Sequence, residues 1–527
     1  MKLYIPFIFF LFVLPARTFS QVDSALKYAE TITQAGLRKQ LTIIASADME
    51  GRETGTGGQR KAAAYIESQF RGSGLITIPA LKGYQQNYIF YKDTLIPKTL
   101  KIGSRSYEPG TDYVVIPGSS ENSEFKSKKI IFAGYGISDI NYDDYKDKDV
   151  KDKIVVIFTG EPKTGTNFLV SGTPKSSTWG YSINRKATMA KQKGAIAVML
   201  IDPFLESIPA SIVASSKKSN TYFPHEKNSG TEKVPVVTIV PAIIKNIFGE
   251  QQGAVLVEAA KKSTSLTEYK AETKVKSRLA FKRIKTQSGA SNVIGYIEGS
   301  DKNDEYVFLT AHYDHLGQKG NDIYYGADDD GSGTVTVIEM AAAFAKAKAD
   351  GYVPRRTIVF MTFSGEEKGL WGSEYYSDHP LFPLENTTVD LNTDMIGRID
   401  PGRTHGDSTN YIYVIGDDKL STDLTPISTS VNNTYTRLEL DYKFNDPGDP
   451  ERIYFRSDHY NFARKGVPII FFFDGIHKDY HKPTDTVDKI NFDIMEKRAR
   501  FIFLTAWTIA NRNTMLKRDL PLPEETR

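Results

Sequence analysis

The chain has 527 residues, of which 40% are apolar and 25% charged, and its 67 basic and 64 acidic side chains leave a formal charge of +3. This is the balance of a globular protein with several domains, and it excludes a disordered or collagen-like chain. So small a charge gives no reason to expect nucleic-acid binding, and the lack of cysteine excludes disulfides, thiolate nucleophiles and cysteine-bound metals.

The first twenty residues have the pattern of a secretory signal peptide. Lys2 precedes an almost wholly apolar run at 3–15, and the small residues Thr18 and Ser20 precede the expected cleavage point. The run is well short of the roughly 20 apolar residues that a membrane-spanning helix needs. We therefore expect residues 1–20 to be removed and the mature chain to be exported, to the periplasm or the extracellular space, without a membrane anchor.

Three regions follow along the chain. Residues 21–90 predict the N-terminal part of a main domain, with a helix around 61–70. Residues 91–288 contain short β-rich runs separated by polar loops, which predicts an inserted β-rich domain. In residues 289–527, continuous apolar strands alternate with helices, which predicts the rest of an α/β main domain with a mostly parallel, buried central sheet flanked by helices.

Side chains that can bind metal follow several predicted strands of this last region. They are His312 and Asp314, Glu366 and Glu367, Asp394, and Tyr480 with His481. Because ligands bind at the carboxyl ends of strands in open α/β sheets, we expect these side chains to lie together at one edge.

The run Asp328-Asp329-Asp330 adds three adjacent carboxylates just before a predicted helix at 334–349. Such a run is favourable beside a multivalent cation, although an acidic turn at a helix N-terminus has the same pattern. The adjacent pair Glu366-Glu367 suits a site in which one carboxylate binds metal and its neighbour accepts a proton from metal-bound water.

Six motifs, in this order, resemble the co-catalytic di-zinc aminopeptidase family, whose relatives include glutamate carboxypeptidases and glutaminyl cyclases. The motifs are HYD at 312–314, GADDDGSG at 326–333, SGEEKGLWGS at 364–373, NTDMIG at 392–397, RSDHYNF at 456–462 and YHKPTDT at 480–486. The resemblance covers residues 291–510 and the segment 49–70. The runs AGYGI, KIVVIF and GAIAVMLI of the insertion resemble a protease-associated domain.

The resemblance implies two Zn²⁺ per chain and a role for each motif residue. His312, Asp329 and Asp394 would bind one zinc, and Glu367, His481 and the bridging Asp329 would bind the other. Glu366 would be the general base, Asp314 would orient His312, Tyr480 would donate to the oxyanion, and Arg456 would contact substrate. Two Zn²⁺ against three carboxylate ligands leave a charge of +1, which suits a bridging hydroxide.

The implied activity is that of an exported metallo-exopeptidase, an aminopeptidase that hydrolyses N-terminal residues from peptides through the bridging hydroxide. Three alternatives share the fold. A glutamate-type carboxypeptidase also carries the insertion, a glutaminyl cyclase works with a single zinc, and a transferrin-receptor-like binding ectodomain loses the ligands. The complete ligand set disfavours the last two. We expect peptides as the partners, and a solvated or structural role for His315, His379, His405 and His477.

Overall fold

The computed structural model describes residues 24–116, 124–217, 219–224 and 233–522, so the predicted signal peptide at 1–20 lies outside the described residues. Within these ranges, none of the helices has both the length and the apolarity to cross a lipid bilayer. The chain forms two units. The main unit comprises the residues up to Ile89 and those from Gly289 onward, and the inserted unit comprises Phe90–Ser288. The sequence predicts this insertion at 91–288.

The main unit is built on a mixed sheet. In chain order its strands are β1 Gln85–Ile102, β2 Ser277–Ile297, β3 Lys302–His312, β4 Arg356–Phe363, β5 Thr387–Thr393, β6 Tyr411–Ile415, β7 Glu439–Asp441 and β8 Ile469–Phe473. The chain passes between the two units within β1 and β2, so part of each strand belongs to the inserted unit. Their spatial order is β1–β2–β4–β3–β5–β8–β6–β7. The four central strands β4, β3, β5 and β8 are parallel to one another, whereas β2 and β6 are antiparallel to the strands inside them.

Helices cover both faces of this sheet. They are α1 Gln34–Ile44, α2 Gly57–Gly72, α3 Gly333–Ala349, α4 Trp371–Asp378, α5 Leu424–Val431, α6 His459–Ala463 and α7 Phe492–Ala510. Short helical turns lie at Ala47–Arg52, Ala327–Ser332, Glu366–Lys368, Leu384–Asn386, Asn432–Thr436, Lys443–Asn445, Ile453–Phe455 and Val487–Lys489, and a two-stranded ribbon joins Gln318–Lys319 to Asp322–Ile323.

Alternate residues of β3 belong to different cores. Val307 and Leu309 pack in the core that includes Phe344 of α3, whereas Phe308 packs on the other face against Tyr376 of α4 and Phe462 of α6. A strand covered on both faces has a continuous apolar sequence, which is the pattern that predicted it. The α/β class with a mixed, mostly parallel central sheet flanked by helices is thus confirmed.

Asp390 on β5 is a buried carboxyl group within this sheet, and it predicts a pH-dependent stability. Its side chain is fully buried and accepts a hydrogen bond from Oγ1 of Thr310 at 2.7 Å. Burial raises the pKa of Asp390 to about 8. Because the pKa is higher in the folded than in the unfolded chain, this stabilisation is complete below about pH 4 and is lost as the pH rises to about 8.

Asp390→Asn removes this ionisation. Between about pH 5 and pH 8, we expect the free energy of unfolding of the wild type to fall by about 1 kcal/mol per pH unit relative to that of the variant. Urea denaturation of both proteins at equal metal content measures the difference. A difference that is the same at both ends of this range would contradict the prediction.

The inserted unit has its own sheet and its own core. In spatial order the sheet contains Glu272–Thr273, Ile130–Phe132, Ile154–Phe158, Ala197–Ile201, Val236–Ile239 and Tyr113–Ile116. The four inner strands are parallel, and the two outer strands are antiparallel to their neighbours.

The inserted unit also contains helices at Thr178–Tyr181, Ile183–Gln192, Ala210–Ser216, Ala242–Phe248 and Glu250–Lys261. Its remaining strands are Arg105–Tyr107, Glu124–Ser127, Ser138–Asp139, Tyr142–Asp143, Lys163–Thr164, Asn167–Phe168 and Asn220–Tyr222. The described part is therefore more helical than its β-rich sequence suggests, and its identity as a protease-associated domain stays a prediction.

Candidate metal centre

The side chains predicted at strand ends lie together at one edge of the main sheet. His312 is the last residue of β3, and Glu366 and Glu367 begin the turn after β4. Asp394 directly follows β5, and His481 lies in the loop after β8. These four strands are parallel, so their carboxyl ends share one edge, where α/β folds bind ligands.

The first group of donor atoms surrounds Nε2 of His312. This nitrogen lies 3.3 Å from Oδ1 of Asp329 and 3.5 Å from Oδ1 of Asp394. Bonds of about 2.0–2.1 Å to a tetrahedral zinc place neighbouring ligand atoms about 3.3 Å apart. The three side chains are buried and are spaced as ligands of one ion.

The second group meets the other carboxylate oxygen of Asp329. Nε2 of His481 lies 3.1 Å from Oδ2 of Asp329 and 3.2 Å from Oε2 of Glu367. His315 belongs to the same group, because its Nδ1 lies 2.8 Å from Oε1 of Glu367 and 3.8 Å from Oδ2 of Asp329. Asp329 thus presents one oxygen to each group. His315, for which the sequence predicts a solvated or structural role, is fully buried beside carboxylates.

The first two aspartates of the Asp328-Asp329-Asp330 run point to different partners. Oδ1 of Asp328 accepts a hydrogen bond from the N–H of Gly397 at 2.7 Å, and its Oδ2 lies 3.3 Å from Nε2 of His477. Asp329 faces the histidines of the two donor groups. Asp328 therefore holds a neighbouring loop, while Asp329 contributes to both groups.

Asp330 binds the backbone around the site rather than the two donor groups. Its carboxylate accepts hydrogen bonds from the N–H groups of His312, Gly333 and Met395, at 3.2, 2.8 and 3.1 Å. Three donors satisfy this buried carboxylate without a metal. Asp330 thereby ties the end of β3, the start of α3 and the segment after β5 to one another.

The electrostatics of the first group favour a cation. Burial by itself lowers the pKa of His312, but the carboxylates of Asp394 and Glu366 raise it well above its ordinary value. Burial raises the pKa of Asp329, but its contacts with His312 and His481 lower it well below the ordinary value. Several carboxylates packed into one buried volume become favourable beside a multivalent cation.

Unpaired donor atoms provide a second test of whether a metal fits. Buried atoms without a hydrogen-bond partner among the described residues include Nε2 of His312, both ring nitrogens of His315, Oδ2 of Asp329 and Oε1 of Glu367. Each such atom costs about 1–3 kcal/mol when it is left unpaired. Imidazole and carboxylate together form a donor set that suits zinc and also accepts manganese or cobalt. The residues therefore fit a metal centre.

A small cavity opens onto both groups. It is lined by the polar residues Asp329, Glu366, Asp394, Arg456 and Tyr480 and by the apolar residues Met395, Ile453, Phe471, Phe473 and Ile476. Burial raises the pKa of Glu366 well above its ordinary value; His312 opposes this shift, and Glu367 adds to it. A carboxyl group with a raised pKa beside metal-binding donors is suited to accept a proton and return it.

Tyr480 and Arg456, both predicted site residues, contact each other at the cavity. Nη2 of Arg456 donates to the hydroxyl of Tyr480 at 3.2 Å. The ring of Tyr480 stacks on the ring of His481, with their centroids 3.9 Å apart and an angle of 19° between their planes.

Asp314 connects the first histidine to the glutamate pair. Nδ1 of His312 lies 3.1 Å from the main-chain oxygen of Asp314 and 3.7 Å from its carboxylate Oδ1. The carboxylate accepts hydrogen bonds from Oγ1 of Thr54 at 2.7 Å and from the N–H of Glu366 at 3.2 Å. Asp314 is thus placed to orient both His312 and the turn that carries Glu366.

Arg52 is a buried residue that sequence reasoning missed, although it lies in the segment 49–70. Its guanidinium donates at 2.7–2.8 Å to the main-chain oxygens of Ile44, Tyr313, Tyr325 and Gly326. Tyr313 follows His312 directly, and Gly326 precedes the aspartate run. Arg52 therefore fixes the two loops that carry the first donor group. The only sequence signal was an arginine in a Gly/Thr-rich loop.

Asp485 was also missed, although it lies within the YHKPTDT motif. Its Oδ2 accepts hydrogen bonds from the N–H groups of Asp328 and Asp329, at 3.0 and 3.2 Å, and the side chain is fully buried. Asp485 thereby connects the segment of His481 to the backbone of Asp329.

Replacing Asp485 therefore predicts weaker metal binding. We expect Asp485→Ala to reduce zinc affinity about 10- to 100-fold, the usual effect of losing a residue that orients a ligand. Asp485→Asn keeps an acceptor oxygen and should lose less, and Asp488→Ala, an exposed neighbour, is the control. Competition with a zinc chelator measures the affinity. Wild-type affinity in the alanine variant would show that Asp485 does not orient Asp329.

Comparisons with known proteins agree with the geometry. Residues 292–506 match the family described as Peptidase family M28. A probable leucine aminopeptidase of Arthroderma otae is 29% identical over 218 residues, which are 40% of this chain and 56% of that protein. Aminopeptidase YwaD of Bacillus subtilis is 26% identical over 310 residues, 56% of this chain and 61% of that protein. This chain therefore spans less than two thirds of either relative.

A solved structure shows the same fold. The aminopeptidase from Aneurinibacillus sp. strain AM-1 aligns with a TM-score of 0.52 at 18% identity, over 95% of this chain and 98% of that one. The family match covers the strands and loops that carry both donor groups, from β2 to α7. Residues 292–506 are therefore similar to peptidase family M28, and the metal-binding residues of both groups lie within this match.

Proposed function

We propose that the chain is an exported, zinc-dependent aminopeptidase that hydrolyses N-terminal residues from peptides. The observation that carries this proposal is the sharing of Asp329 between two donor groups, with Glu366 beside them in the same cavity. The names of similar proteins support it, because they include a probable leucine aminopeptidase and an aminopeptidase.

Two Zn²⁺ per chain are the proposed cofactor. His312, Asp329 and Asp394 would hold one ion, and Asp329, Glu367 and His481 would hold the other. When bound, the zinc ions would polarise the scissile carbonyl and lower the pKa of a water molecule. The donor distances and the unpaired buried atoms support this assignment.

Glu366 is the proposed general base. Its side chain lines the cavity but has Oε2 3.9 Å from Nε2 of His312, farther than the carboxylates of the first donor group. It would take a proton from the attacking water and deliver it to the leaving amine. Its raised pKa suits the second of these steps, because it lets the carboxyl group hold the proton between them.

Tyr480 and Arg456 are the proposed contacts to the substrate carbonyl. Burial, with the nearby carboxylates of Asp329 and Glu366, raises the pKa of Tyr480, so its hydroxyl keeps its proton. A protonated phenol held by Arg456 can donate a hydrogen bond to an oxygen on which negative charge develops.

Most of the acidic lining of the cavity belongs to the proposed metal ligands. Among the described residues that line it, Asp329, Glu366 and Asp394 are acidic, and Arg456 is the one cation. Its guanidinium already donates to Tyr480. Asp329 and Asp394 are proposed zinc ligands, so Glu366 and Arg456 are the lining charges left to meet a charged end of the substrate. The apolar residues of the lining offer contact to an uncharged side chain.

Export rests on the pattern at residues 1–20, and the periplasm or the extracellular space is the proposed location. Amino-terminal sequencing of protein recovered outside the cytoplasm tests it. A chain that begins near Gln21 is the expected result, and a chain that retains residues 1–20 would contradict it.

The activity is tested with paired aminoacyl substrates that differ only in a free or an N-acetylated amine. We expect hydrolysis of the free-amine member alone, loss of activity with a chelator, and recovery with zinc. A folded, zinc-loaded sample that cleaves neither member would contradict the proposal. Release of a C-terminal glutamate from acetylated peptides would instead identify a carboxypeptidase.

A further inference from the structure

His315 lies inside the metal centre, although the ligand set implied by the resemblance does not include it. The residue follows His312 by three positions, and its side chain is fully buried. Its ring meets the edge of the His481 ring, with centroids 5.9 Å apart and planes at 70°. Its Nδ1, one oxygen of Asp329 and one of Glu367 lie close enough together to hold a single ion.

The contact between His315 and Glu367 is too short to be incidental. Nδ1 of His315 and Oε1 of Glu367 are 2.8 Å apart, yet each lacks an aligned hydrogen-bond partner among the described residues. When neither atom carries a proton, as in a metal-binding state, two donor atoms this close repel each other unless a metal cation lies between them. A metal about 2.0–2.1 Å from both atoms would make an Nδ1–metal–Oε1 angle of about 85°. Such an angle is normal for a site with five ligands.

The position of the imidazole is fixed by its surroundings. A Cβ at Gly326 would come within 2.5 Å of Cγ of His315, so the ring occupies the space that the missing side chain leaves. The backbone N–H of His315 donates to the main-chain oxygen of Arg52 at 3.4 Å. The ring is therefore held against the donor group before any ion binds. Such a fixed position suits a metal ligand better than a mobile side chain would.

We propose that Nδ1 of His315 is a fourth protein ligand of the metal that Asp329, Glu367 and His481 hold. This inference rests on the proposed function for the existence of the metal centre. It makes the two sites unequal, because the site at His312 has three protein ligands and the site at His481 has four. The site at His481 should therefore bind its ion more tightly and fill first.

The test compares His315→Ala and His315→Asn with the wild type. Asparagine places an N–H donor close to where Nδ1 lies, but its amide is a poor metal ligand. His405→Ala is the control, because that histidine is 60% exposed and contacts Asp441 rather than the site. Zinc affinity is measured by competition with a chromogenic chelator, and metal content is counted after equilibration.

We expect both His315 variants to bind one of their two zinc ions at least 100-fold more weakly than the wild type and the control do, and to bind the other unchanged. Wild-type affinity in His315→Asn would show that the residue only donates a hydrogen bond, and would overturn the proposal. So would two tightly bound ions in His315→Ala. Melting curves of the metal-free proteins check that each variant folds.

Cobalt provides a readout that does not depend on turnover. Co²⁺ with five ligands absorbs visible light more weakly than Co²⁺ with four, so the first equivalent added to the wild type should absorb less than the second. In His315→Asn this difference should disappear, and equal absorption of both equivalents in the wild type would overturn the proposal. Fewer than two metals in the wild type would instead overturn the two-zinc assignment, and with it the proposed function.

Discussion

Glu366→Gln is expected to lower kcat by about 10²- to 10⁴-fold, the usual contribution of general acid–base catalysis. The amide keeps the size of the side chain and removes its ability to carry the proton. KM and zinc content should stay near their wild-type values, because Glu366 lies 3.9 Å from Nε2 of His312 and belongs to neither donor group. Steady-state kinetics together with metal analysis measures all three quantities.

Two comparisons make this prediction specific. Glu385→Gln changes an exposed glutamate of the same unit and should leave kcat unchanged. Glu367→Gln replaces an adjacent glutamate in the second donor group, so it should lower zinc content as well as kcat. If Glu366→Gln kept wild-type turnover, Glu366 would not be the base. If it lost zinc, Glu366 would be acting as a ligand.

The positions of the metal-binding residues could be predicted because their signal is local. His312, Asp394 and the Glu366-Glu367 pair each lie at or just after the end of a buried strand, and parallel strands bring their carboxyl ends to one edge. Strand identity and residue type were therefore enough to expect them together.

The residues that support the site carry no such signal. Arg52 and Asp485 bind main-chain oxygens and N–H groups, which nearly every residue possesses. The sequence therefore does not show which backbone groups these two side chains will contact. His315 follows the first histidine closely, and a histidine in a loop is more often solvated than buried against carboxylates. Its contact with Glu367 arises only when β3 and β4 pair.

Short elements were also hidden in the segment 400–455. Its composition, rich in Asp, Asn, Gly and Thr, resembles a long loop, but it contains β6, α5 and β7. The strand β6 pairs with β8 on the outer side of the parallel core. Elements of three to eight residues are too short for their periodicity to stand out from the turn residues around them.

Asp329→Asn is expected to have the largest effect on metal binding, because one carboxylate contributes to both donor groups. Its Oδ1 lies 3.3 Å from Nε2 of His312, and its Oδ2 lies 3.1 Å from Nε2 of His481. The amide keeps one neutral oxygen and replaces the other by an NH₂ group, which cannot bind a cation. We therefore expect weaker binding of both zinc ions and a loss of kcat/KM of at least about 10³-fold, since the two metals act together.

Asp394→Asn is the matched comparison, because Asp394 contributes to the group of His312 alone. This variant should lose one zinc and keep the other, whereas Asp329→Asn should weaken both. Asp378→Asn, an exposed aspartate paired with Lys465, should bind two. Zinc titration against a chelator distinguishes the three patterns. If Asp329→Asn kept one ion at wild-type affinity, Asp329 would serve a single metal, and the bridging role that gives the proposed mechanism its geometry would be wrong.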